Sequence, residues 1–64
     1  MDNLILNFKS DEEREIIVNF SNVLYCKQKY QESDYRLIFL DGSELILSWK
    51  EHDRFTRALQ RALE

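Results

Sequence analysis

Tyr35-Arg36-Leu37-Ile38-Phe39-Leu40-Asp41-Gly42-Ser43-Glu44-Leu45-Ile46-Leu47 is the stretch whose pairing decides the fold. Two apolar runs flank Asp41-Gly42, a dipeptide suited to a two-residue type I′ hairpin because such a turn needs positive φ at both central positions. In that register Leu40 faces Ser43, Ile38 faces Leu45 and Arg36 faces Leu47. Phe39 then lies opposite Glu44, and Leu37 opposite Ile46. One face is apolar, and the second, carrying Leu37, Phe39 and Ile46, is not cleanly polar either. Such a two-sided sheet needs a cover on each side.

One cover follows in the chain. Ser48-Trp49-Lys50-Glu51 is a capping box, with Ser48 as N-cap and Glu51 three residues on. No Gly or Pro interrupts the segment from Trp49 to Glu64. With Phe55 at zero on a helical wheel, Ala58, Ala62, Leu59 and Leu63 fall between roughly −60° and 80°, one apolar stripe. Toward the N-terminus, Leu4, Leu6 and Phe8 alternate with Ile5, Asn7 and Lys9. Ile16, Val18 and Phe20 alternate in the same way with Ile17 and Asn19. Val23 to Tyr30 resumes in extended register, and Ser10–Glu13, Ser21-Asn22 and Gln31–Asp34 are the polar breaks.

The pattern predicts strands at about 3–9, 15–20, 23–30, 35–40 and 43–48 and a helix at about 49–63, in a single domain over residues 1–64. The fold class is α+β: a small antiparallel β-meander of four to five strands, followed by one C-terminal amphipathic helix packed on one sheet face. The helix leaves the other face for a second copy or another protein.

Size and composition narrow the function. A chain of 64 residues buries only about 60% of the surface its unfolded form exposes. The one cysteine, Cys26, cannot form an internal disulfide, and no His/Cys spacing suits a structural metal. Self-association as a homodimer or larger assembly is therefore expected. One Gly and no Pro exclude a Gly-rich phosphate loop, and no apolar run approaches a membrane span. Met1-Asp2-Asn3 lacks the basic start of a signal peptide, and Cys26 is unpaired, so the expected location is cytoplasmic. No cofactor is expected. The net charge is −3, with five basic against nine acidic side chains in residues 1–49 and four against three in residues 50–64. An acidic body opposes sequence-independent binding of nucleic acid.

Four groups of side chains have chemistry to offer. Lys50, Arg54, Arg57 and Arg61 share one helix stripe, at roughly 200° to 260° on the same wheel, either a surface for phosphate or an acidic partner, or a solvated face. Tyr25, Lys27 and Lys29 alternate on one strand, with Tyr30, Tyr35 and Arg36 close in sequence. Interleaved aromatics and cations stack bases in some proteins and merely cover a sheet in others. His52 and Cys26 are the only residues of their kinds, and nothing in their spacing joins them into a catalytic pair. Asp11, Glu12, Glu13 and Glu15 form an acidic cluster without the ordered spacing and glycine of a calcium loop. It suits a soluble hairpin tip or a dock for a basic partner.

From Ile17 to Leu63 the chain reads as an apolar strand, Asn22-Val23-Leu24-Tyr25, a hairpin at Asp41-Gly42 and an amphipathic helix. That order resembles the end of a LytTR-type DNA-binding domain, and it is similar to the small FlbD-like flagellar proteins. LytTR domains are longer and more basic, and no functional residue is carried over from either family.

The expected function is that of a small non-catalytic interaction protein, regulating or inhibiting a partner protein by surface binding as a homo-oligomer. Small acidic proteins of this kind are common in phages and mobile elements, an analogy only. The expected contact residues are Leu37, Phe39, Ile46 and Tyr35 on the open face and Glu12 and Glu13 in the acidic cluster. The alternative is a nucleotide- or nucleic-acid-binding regulatory module using Lys50, Arg54, Arg57 and Arg61.

Overall fold

In the computed structural model, which describes residues 4–28 and 34–64, the elements follow in the expected order. They are β1 (Ile5–Lys9), β2 (Glu15–Asn19), a 3₁₀ turn (Phe20–Asn22), β3 (Val23–Gln28), β4 (Tyr35–Phe39), β5 (Glu44–Leu47) and α1 (Trp49–Leu63). The expected start of the first strand at Asn3, the end of the third at Lys29 and Tyr30, and the break Gln31-Glu32-Ser33 lie outside the described residues.

The strands form two antiparallel ladders, β1-β2 and β3-β4-β5, and the chain passes between them through the 3₁₀ turn. Asn19 ends β2 by accepting the Ser21 N–H on its side-chain oxygen at 3.1 Å, a local bond that competes with continued pairing. Phe20 N–H donates to the Leu4 carbonyl at 2.8 Å, and Leu40 N–H donates to the Asn22 carbonyl at 2.9 Å. The turn is thus tied to both ladders.

The β4–β5 register differs by one residue from the type I′ expectation. Tyr35 pairs with Leu47, Arg36 with Ile46, Leu37 with Leu45 and Ile38 with Glu44. The loop is Leu40-Asp41-Gly42, closed by Gly42 N–H to the Phe39 carbonyl at 2.9 Å and Phe39 N–H to the Ser43 carbonyl at 3.0 Å. Only Gly42 has positive φ, at 88°, whereas type I′ needs it at Asp41 as well. Asp41 instead accepts the Ser43 N–H at 2.9 Å and the Ser43 hydroxyl at 2.6 Å. Those bonds hold it in an Asx-type turn. The β1–β2 loop has the same hydrogen-bond plan: Glu13 N–H donates to the Ser10 carbonyl and Ser10 N–H to the Arg14 carbonyl. Its positive-φ position is Glu13, at 63°.

That one-residue shift re-matches the two strands, so that Leu37 and Phe39 share a side with Leu45 and Leu47 and not with Ile46. Leu37 and Leu47 are fully buried and join Leu6, Phe8, Val18 and Phe55 in one core. Phe55 on α1 is its centre, meeting Phe8 edge-on at 5.8 Å between centroids and Phe20 at 6.1 Å. Both ladders turn their inner faces to this cluster, and α1 lies mainly along β1. The capping box forms in full: Glu51 N–H donates to the Ser48 hydroxyl at 3.2 Å, and Ser48 N–H to the Glu51 carboxylate at 2.9 Å. Ala58 and Leu59 pack on the core, but Ala62 and Leu63 are exposed.

Candidate functional site

Two surfaces remain outside that core. The first is the outer face of β3-β4-β5. A register shift between Val23 and Tyr25 leaves Leu24 unpaired in a bulge and sets Tyr25 opposite Ile38. Strand alternation then places Tyr25 and Lys27, Arg36 and Ile38, and Glu44 and Ile46 on one side. Arg36 is tied to Glu44 at 3.2 Å. Tyr25, Ile46 and the bulged Leu24 are each about half exposed or more, and no other described element covers them.

This face differs from the expected one, which combined Leu37, Phe39, Ile46 and Tyr35. Only Ile46 lies on it. Leu37 is in the core, Phe39 packs against the core, and Tyr35 faces inward to stack on His52 at 3.8 Å with ring planes 9° apart. The cause is again the three-residue loop, which moved each β5 residue one place against β4. The proposed stacking group also divides: Tyr25, Lys27 and Arg36 share the outer face and Tyr35 does not, while Lys29 and Tyr30 are outside the described residues.

The acidic cluster has two fates. Asp11 is structural: the Ser48 hydroxyl donates to its carboxylate at 2.6 Å, and its own N–H donates to Glu51 at 3.0 Å. Arg54 completes the junction, donating to the carbonyls of Lys9 and Ser10 at 3.1 and 3.0 Å and lying 3.7 Å from Asp11. The β1–β2 loop is thereby fastened to the first turn of α1. Glu12 and Glu13 stay exposed at the loop tip, where Glu12 makes a solvent-exposed pair with Arg14 at 3.5 Å. Of the expected contact residues in this cluster, both are therefore accessible.

The second surface is a groove of about 550 Å³ between β1 and α1. Arg54, Arg57, Arg61 and Ala58 line it from the helix, and Asn7, Phe8, Lys9, Ser10 and Glu13 from the strand and loop. Three of the four expected stripe residues thus line one groove with the main chain of β1 at Lys9, which sequence spacing did not connect to them. Lys50 is absent from the lining and has its ammonium 5.6 Å from the centre of the Trp49 ring. Arg57 pairs with Asp53 one turn earlier at 3.2 Å.

His52 and Cys26 are not brought together by any described bond or ring contact. Burial pushes the His52 pKa down, opposed in part by the charge of Asp53, and burial pushes the Cys26 thiol up. Both shifts favour the neutral forms, and a thiol held neutral is a poor nucleophile. Among the described residues, no three His, Cys, Asp or Glu side chains gather to hold a metal ion, and no helix is long and apolar enough to cross a membrane. No protein-family model, curated protein or solved structure matches the chain.

Proposed function

We propose that this chain is a small non-catalytic interaction protein that self-associates and regulates a partner protein by surface binding. The observation that carries the proposal is the outer face of β3-β4-β5, where Tyr25, Leu24 and Ile46 are exposed beside the buried Ile38. Exposed apolar side chains of this kind, set among Lys27, Arg36 and Glu44, lose free energy when covered by a second such face. The small size of the core supports the same direction, because association adds buried area to a chain of 64 residues with a marginal core. His52 and Cys26, joined by no described bond and both shifted toward their neutral forms, give no support to a nucleophilic enzyme.

Sedimentation velocity at tens of micromolar tests this. The wild-type chain is expected to sediment as a dimer or larger species. Ile46→Lys, which sets a second cation opposite Arg36, is expected to give folded monomer. A wild-type chain that remains monomeric would defeat the self-association. Native mass spectrometry of gently purified protein then tests the partner: a bound protein supports regulation by surface binding, and a bound nucleotide would move the function to the helix arginines.

A further inference from the structure

The free edge of β1 and the arginine row of α1 form the two walls of one groove, and we infer that this groove takes an extended acidic segment of a partner protein as an added strand. The groove shares no residue with the open face of β3-β4-β5.

The edge is available for pairing. Ser10 N–H bonds to the Arg14 carbonyl and Phe20 N–H to the Leu4 carbonyl, which fixes the phase of the β1-β2 ladder. In an antiparallel pair the hydrogen-bonded residues alternate, so Leu4, Leu6, Phe8 and Ser10 face β2. The main-chain groups of Ile5, Asn7 and Lys9 point to the opposite side. No described strand pairs with that side. The Arg54 guanidinium already bonds the outward Lys9 carbonyl there, which places the cationic side of α1 against this edge. Arg54 also closes the groove at the loop end, leaving Ile5 and Asn7 for an incoming backbone.

The charge of the groove selects the occupant. Arg54, Arg57 and Arg61 stand against one carboxylate, Glu13, in its lining, and Arg54 is already engaged with Asp11. The Arg61 side chain has no ion pair or hydrogen bond among the described residues, and Arg57 is held only by an exposed pair with Asp53. An extended segment turns alternate side chains to one side. Acidic residues at every second position would meet Arg57 and Arg61 while its backbone pairs with Ile5 and Asn7. Strand addition of this kind draws affinity from main-chain bonds and selectivity from the alternate side chains. Phe8 and Ala58 supply an apolar floor.

The test titrates the wild-type chain with a short labelled peptide alternating glutamate and valine, a matched peptide with lysine for glutamate, and a labelled single-stranded oligonucleotide. The glutamate peptide is expected to bind saturably and about tenfold or more tighter than either control, with affinity falling as salt rises. Amide exchange at Ile5 and Asn7 should slow in the complex. Arg57→Glu combined with Arg61→Glu should weaken the glutamate peptide about tenfold or more; Arg61→Glu alone, at an exposed site in the last turn, acts in the same direction should the double variant not fold. Equal or tighter binding of the oligonucleotide would overturn the proposal in favour of a phosphate site. Binding that leaves the Ile5 and Asn7 amides unprotected, or no peptide binding, would overturn it as well.

Discussion

Glu13 and Gly42 occupy the same position in two loops of one design, yet only one of them is glycine. A side chain in the left-handed region costs about 1–2 kcal/mol, and glycine returns part of that gain through its freer unfolded chain. Glu13→Gly is therefore expected to stabilise the fold by about 0.5–1 kcal/mol, read as a higher urea midpoint. A Cβ at Gly42 meets nothing within 4 Å, so Gly42→Ala isolates backbone strain and should cost about 1–2 kcal/mol. No change in either variant would mean that the loops relax into another turn type. The exposed glutamate at this strained position also sits on the rim of the cationic groove.

His52 sets a pH dependence at the same scale. Its folded pKa lies below the ordinary 6.5 because burial disfavours the imidazolium. The unfolded chain therefore binds the proton first as pH falls. The stability due to neutral His52 is complete above the unfolded pKa and drains away as pH drops through the folded one. His52→Phe keeps a flat ring for Tyr35 and cannot titrate. Thermal melts between pH 7.5 and pH 5 should show the wild type losing more stability than this variant. Parallel curves would mean that the imidazole charges without penalty.

Among the elements, α1 owes its start to a junction that reaches across the chain. The Ser48 hydroxyl accepts from Glu51 and donates to Asp11, so one oxygen both caps the helix and holds the β1–β2 loop. Ser48→Ala should cost about 1–2 kcal/mol in chemical denaturation. Asp11→Ala should then cost less on that background than in the wild type, since the two residues share a bond. Additive losses would separate the cap from the loop contact. The cap itself was legible from Ser48 and Glu51, three residues apart. The Asp11 contact was not, because 37 positions separate its partners and no local pattern records such a meeting.

At the scale of the molecule, alternation and helical periodicity located every described strand and the helix within a residue or two. Each pattern reports which side chains avoid water, and that property is local. The α+β class and the capped helix were therefore already determined by the amino-acid sequence. Pairing was not. Asp41-Gly42 is compatible with a two-residue and a three-residue loop, and the choice rests on Asp41 bonding Ser43 while Gly42 alone takes positive φ. One residue of register sent Leu37 and Phe39 to the core side and left Ile46 outside with Tyr25. The arginines were legible as a stripe, but a helical wheel has no neighbour. Only tertiary structure set Arg54, Arg57 and Arg61 beside the free edge of β1, because a groove belongs to two elements at once.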